Sequence, residues 1–375
     1  MKDLHKFYLY RALYEIYLWG VIAIPFYISS GYSLEQGLQF IAAYGLMVIL
    51  WEFPTGVLGD IWGNKSSLIL GLLLTALGFS VIYLNTGILM VYLGIFVLSI
   101  GNAFSSGADT AMLKSISNDF RNDLKTYNYT FNASLLISYA VAGFIAELSY
   151  TYAFGIMVIA NLIGVMLLLS IKDTKVSVVK GENVIRKWIG GIKASFNRIT
   201  LFIFIFLMSY MGALRSSGKT ILGSFEEVYG VDLKYVGLLI AMTVVAQTVG
   251  VYMEKYLPKG YRLNLFILAI PFVLLFFLKF SVYTVGFYFV ALGLVEANHF
   301  KLKNIIIDMT PHSVLSSVLS AAALFKRAMA SILVLGIATM TDLIPFHFNF
   351  VLIGIVCLLL IPIGTYVKHR YSIKY

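Results

Sequence analysis

Apolar residues in this chain come in long runs, without strict alternation. Stretches of about 20 apolar residues, the length a helix needs to cross a hydrocarbon core, follow one another almost from end to end. Short polar or glycine-bearing breaks separate them. The pattern predicts helices over 7–29, 34–58, 67–86, 88–113, 126–149 and 151–171, and again over 199–223, 233–254, 262–280, 282–300, 312–338 and 346–367. One extended polar stretch, 172–198, separates the two sets. The expected fold class is an all-α integral membrane protein with twelve transmembrane helices in two pseudo-symmetric six-helix bundles. The bundles span 1–171 and 199–375, with a basic linker over 172–198.

Composition removes the alternative of a soluble enzyme. Only 12% of the 375 residues are charged, against roughly a quarter in soluble domains, and the mean hydropathy is +0.87. The formal net charge of +10 would suit a nucleic-acid binder, but the cations collect in alternate connections, as the positive-inside rule describes. This distribution predicts a multi-pass protein of the cytoplasmic membrane with both termini cytoplasmic, and no nucleic-acid partner. The first apolar segment reads as an uncleaved span. The single cysteine, Cys357, falls inside the last segment and has no disulfide partner in the chain. In the linker, Ile185, Trp188, Ile192, Phe196 and Ile199 recur at helical spacing while Arg186, Lys187, Lys193 and Arg198 take other faces. Two readings fit, an amphipathic helix on the leaflet and a solvated joint between bundles. No glycine-rich phosphate loop and no metal-ligand spacing of histidines is present in the sequence, so neither cofactor, metal nor catalysis is expected.

The two halves echo one another. "GVLGDIWGNK" at 56–65 and "GVYMEKYLPK" at 250–259 share glycine, acid and lysine at equal spacing: Gly56, Asp60 and Lys65 against Gly250, Glu254 and Lys259. "SLEQGLQFIAA" and "DLKYVGLLIAM" open the preceding segments of each half. Internal repeats of this kind build many transporter folds. With its paired halves, basic central linker and glycine-acid connection, the chain resembles the major facilitator superfamily. "EFPTG" at 52–56 and "SSGADTAML" in the fourth segment resemble its bacterial multidrug and antibiotic exporters. Three positions depart from that pattern. Gly63 is followed by Asn64 and Lys65 in place of an arginine cluster, Val97 stands where an arginine often precedes the Gly101 region, and "SYAVAGFIAE" replaces a proline-glycine signature.

The resemblance implies that Asp60 meets the start of the eleventh segment, where Thr310 and Pro311 form a good cap and first turn. A carboxylate there gains from the helix dipole. On one reading this contact is a latch between halves, with Gly56, Gly63 and Lys65 shaping it and Glu254 and Lys259 as its repeat. On the other it only fixes a hairpin.

Ionisable residues inside a bilayer cost at least about 2.5–3.5 kcal/mol each and are functional candidates by default. By depth, Glu15, Arg215, Glu296 and the pair Lys326–Arg327 fall well inside, while Arg11, Glu52, Asp109, Glu147, Lys219 and His299 lie nearer a surface. The resemblance implies that segments one, four, seven and ten line a central cavity. It therefore nominates Glu15, Arg215, Glu296, Tyr14 and Lys326 as substrate-binding. Tyr10, Tyr14 and Tyr17 form a stripe that suits either packing or ligand contact. Glu15, Asp109, Glu296 and His299 are candidates for moving a proton. Asp109 has an alternative as the partner of Lys114, His299 as a helix-end residue facing headgroups, and Glu15 as a neutralising partner of Arg11 one turn away. The expected function is alternating-access export of a small amphipathic solute by a monomer in the lipid bilayer, with protons as the candidate coupling ion. Uptake of an anionic or zwitterionic nutrient and a non-transporting sensor or immunity protein are the alternatives.

Overall fold

The computed structural model describes residues 2–172, 199–257, 261–278, 283–310 and 315–340, with positions 343 and 348. Its helices are α1 (Asp3–Tyr14), α2 (Trp19–Ser29), α3 (Leu34–Trp62), α4 (Asn64–Leu84), α5 (Ile88–Ser105), α6 (Ala108–Ile116), α7 (Phe120–Leu148) and α8 (Tyr150–Leu169). The second half contributes α9 (Ile199–Gly223), α10 (Phe225–Tyr229), α11 (Leu233–Met253), α12 (Tyr261–Phe277), α13 (Val285–Met309) and α14 (Leu315–Met340). Among the described residues no strand occurs, and nine helical stretches are long and apolar enough to cross a membrane. Large apolar side chains face outward on them, with Leu50 72% and Leu89 82% exposed. Apolar surface of this extent is stable against lipid and unstable in water.

The chain divides into two compact units, one of Met1–Arg186 with Asp232–Ala241, the other of Lys187–Val231 with Met242–Tyr375. Within the first, α4 packs against α5 and α8, α3 against α5, and α1 against α8. One end is filled by Phe7, Tyr10, Leu68, Leu72, Met112, Leu113, Tyr127 and Leu168. Farther along, Trp19, Phe26, Phe79 and Phe154 interlock by tilted and edge-on ring contacts. In the second unit α9 packs against α13 and α14.

Helix ends follow local chemistry. Ser33 and Gln36 form a capping box at the start of α3, and the Asp119 and Ser149 side chains accept from backbone N–H groups that open α7 and α8. Gly63, with φ +88°, makes the junction between α3 and α4, a conformation that a side chain at this position would resist.

Several predicted edges are corrected. The first segment is two helices, because the chain unwinds over 15–18; the Glu15 carbonyl in the break accepts from the Ser138 hydroxyl at 2.7 Å, which satisfies a group the helix leaves open. The fourth is also two, broken at Ser106 and Gly107, where Gly107 takes φ +82°. The tenth continues to Met309, so Lys301 and Lys303 ride on α13 and are not part of a connection. Thr310 ends that helix, its hydroxyl donating back to the Ile306 carbonyl at 2.6 Å; the start of the next helix, which it was expected to cap, lies outside the described residues. The linker helix, the segment over 346–367, Cys357, Pro311 and Lys259 lie outside the described residues.

Candidate functional site

Each unit sets an arginine against buried carboxylate: Glu15 and the part-buried Asp109 in the first, Glu296 in the second. In the first unit Arg11, in the last turn of α1, is 8% exposed. Its Nη2 lies 3.0 Å from Glu15 Oε1 and its Nη1 3.3 Å from Asp109 Oδ2. The rings of Tyr127 and Phe131 stand 4.7 Å from its guanidinium carbon and that of Tyr14 5.5 Å, within cation–π range. The Tyr127 hydroxyl donates to Asp109 Oδ2. Glu15 lies one turn after Arg11, at the spacing that brings helical side chains together, and the glycine turn before α6 sets Asp109 in the first turn of that helix. One guanidinium thus faces two carboxylates, one from its own helix and one from α6.

In the second unit Arg215 on α9 places Nη1 3.1 Å from both oxygens of Glu296 on α13. His299, one turn after Glu296, donates from Nδ1 to the Met208 carbonyl at 3.0 Å. The stem of Lys326 crosses Gly212, so close that a Cβ there would meet Lys326 Cδ at 2.6 Å and His299 Cε1 at 3.3 Å. Gly212 and Arg215 share a face of α9 by their spacing. Glu296, His299, Lys326 and Arg215 therefore form one polar patch on three helices.

The two clusters are built alike. In each, the arginine sits on the first segment of its half and its interhelical carboxylate on the fourth: Arg11 with Asp109, Arg215 with Glu296. They differ in the further charged residue beside the pair: Glu15 in the first, Lys326 in the second.

Several nominated residues have other neighbours than expected. Asp109 pairs with Arg11 and Tyr127, not with Lys114, because the break at Gly107 turns the start of α6 toward α1 and α7. Arg11 is buried instead of reaching a surface. His299 is inside α13, bonded to the Met208 carbonyl, and not at a helix end facing headgroups. Tyr10 is fully buried among core side chains, whereas the Tyr14 hydroxyl accepts from Asn102 at 3.5 Å. Tyr127 and Phe131 were missed, since no local pattern ties α7 to α1; only a resemblance of charge need, a buried arginine lacking enough partners nearby, could have pointed to them. Lys219, one turn beyond Arg215, is half-buried.

At the glycine-acid connection, Gly56 and Gly63 lie in and after α3, and the side chain of Asp60 is outside the described residues. Lys65 caps α8: its Nζ donates to the Ile171 carbonyl at 2.8 Å and reaches Leu169 at 3.5 Å. Lys6 donates to the Ser170 carbonyl beside it at 2.7 Å. Cations at a helix C-terminus are the favourable arrangement. Glu254 opens a 3₁₀ turn after α11 and is half-buried.

The sequence profile of the major facilitator superfamily matches residues 12–331. The chain belongs to this superfamily. No curated protein matches it. Among solved structures it is similar to the nucleoside transporter NupG, with 13% identity, 99% of this chain and 100% of that one covered, and a TM-score of 0.75. It is similar to a D-xylose-proton symporter, with 12% identity, 96% of each chain covered and a TM-score of 0.75. A third is the POT family transporter PepTSo, with 10% identity, 100% and 99% covered and a TM-score of 0.76. At these identities the likeness is one of fold: an all-helical, multi-pass membrane protein.

Proposed function

We propose that this protein is a secondary transporter that carries a small organic solute across the cytoplasmic membrane by alternating access. The observation that carries the reading is the matched pair of interior ion pairs, each with one partner buried and each joining the first and fourth segments of its half. Buried charge of this kind is costly where it serves stability alone. It is well suited to a site whose partners exchange during a cycle. Glu15 and Asp109, two carboxylates on one arginine, are the candidates for proton coupling, and Arg215, Glu296, Tyr14 and Lys326 for solute contact. In this reading the chain works as a monomer of twelve spans with both termini cytoplasmic. Asp60, with its repeat at Glu254 and Lys259, acts as the latch that biases one state.

Direction divides the reading. The "EFPTG" and "SSGADTAML" stretches support export of an amphipathic compound such as a drug, antibiotic or lipid-like metabolite. The named symporters among the structural neighbours support proton-driven uptake of a polar solute. Reconstituted vesicles with an imposed pH gradient test both. A cationic amphipathic dye accumulating against the proton gradient supports export; an amino acid, dipeptide or nucleoside moving with the proton supports uptake. Movement of none of them, under gradients of either sign, favours a non-transporting protein.

A further inference from the structure

Arg11 and Arg215 use their guanidinium groups differently. Arg11 engages both terminal nitrogens with carboxylates, and its Nε is buried without a partner. Arg215 gives both oxygens of Glu296 to a single nitrogen, Nη1. Among the described residues nothing bonds its Nε or Nη2, neither is a buried unpartnered atom, and the side chain is 31% exposed against 9% for Glu296. The edge that remains carries two parallel N–H donors in the spacing that matches the two oxygens of a carboxylate.

The surroundings reinforce that edge. Glu296 neutralises the arginine once and holds its guanidinium in place, so a ligand meets a fixed fork without having to order a flexible side chain. Lys326 brings a second positive charge to the patch, its stem seated on Gly212 one turn from Arg215. His299, one turn after Glu296, has its Nδ1 engaged with the Met208 carbonyl.

We propose that the Nε–Nη2 edge of Arg215 is the anchor for a carboxylate on the transported solute, with Glu296 as the residue that positions the guanidinium. The solute is thereby an organic acid or a zwitterion, not an uncharged sugar or nucleoside and not a simple cationic dye. This rests on the transport reading only in naming the bound molecule as cargo.

The test is ligand-dependent thermal stabilisation of the purified full-length protein in detergent, which requires no transport. Matched pairs serve as probes: alanyl-alanine and its amide, benzoate and benzamide, glucuronate and glucose. Half-maximal stabilisation by the carboxylate member is expected at about tenfold lower concentration or less than by its uncharged mate, the usual discrimination of a charge-assisted hydrogen bond. Arg215→Lys keeps the charge and loses the fork. The double change Arg215→Gln with Glu296→Gln keeps the pair neutral and folded while removing the edge. Both variants, with unliganded melting close to the parent, should lose the preference within each pair. Equal responses within pairs, a preference that survives in the double variant, or no response to any carboxylate overturns the assignment. If carboxylates bind but no gradient moves them, the transport reading fails and the site stands; if solutes move with no preference for the acid, the site fails and transport stands.

Discussion

Arg11 and Asp109 are 98 positions apart in sequence, yet Arg11 Nη1 stands 3.3 Å from Asp109 Oδ2. The contact joins the end of α1 to the start of α6 and forms only because the chain breaks at Gly107. With Glu15 it makes Arg11 the common partner of two carboxylates.

Removing that partner should be more damaging than removing either acid. Arg11→Gln leaves two buried carboxylates facing each other, and breaking a buried pair costs about 3–5 kcal/mol. Thermal unfolding of Arg11→Gln beside Glu15→Gln and Asp109→Asn checks the order; a loss for Arg11→Gln no larger than for either acid variant would mean that Arg11 acts through ring packing alone.

Glu15→Gln and Asp109→Asn test the surplus carboxylate. Each removes the charge that a proton would otherwise neutralise. Gradient-driven accumulation should fall at least about tenfold while exchange of labelled for unlabelled solute at equal pH persists. Loss of both modes together would assign these residues to the solute and not to the proton. Tyr127→Phe, which removes the hydroxyl donor to Asp109, should cost about 0.5–1.5 kcal/mol of stability.

Lys65→Met removes the cap from the Ile171 carbonyl. A stability loss of about 0.5–1.5 kcal/mol is expected, with transport retained. Asp60→Asn, in the same connection, should instead alter the labelling of engineered cysteines on the two faces with little change in melting. If the two substitutions behave alike, the connection is a structural turn and the latch reading falls.

Gly212→Ala places a methyl against the stem of Lys326, with 2.6 Å to its Cδ. A flexible side chain can move aside, so stability should change by less than about 1 kcal/mol, whereas Gly212→Val should lose about 1–3 kcal/mol by overpacking. In the alanine variant, binding of carboxylate solutes should weaken more than melting falls. Melting curves and benzoate titrations on the same preparation separate these effects.

Much of this was legible in the sequence. Run length and charge distribution specify a helical membrane protein, because a bilayer admits few other solutions for the backbone. Glu15, Arg215 and Glu296 stood out for the same reason: a charge in hydrocarbon is conspicuous in any apolar run. The position of a charge along a helix is a local property, and depth follows from it.

Partners are not local. Nothing near residue 109 announces Arg11 or Tyr127, and the nearer base, Lys114, was the natural choice from spacing. The packing of α6 against α1 and α7 decided the matter by bringing Asp109 to Arg11 and Tyr127. Likewise, the sequence identified Arg215 and Glu296 but gave no hint that one nitrogen serves both carboxylate oxygens and leaves the other edge open. The sequence by itself determined the class of fold, the repeat and the charged candidates, since each depends on composition and period along one helix. Only the tertiary structure decided which charges meet and which donors stay available, since both depend on how separate helices bend and pack.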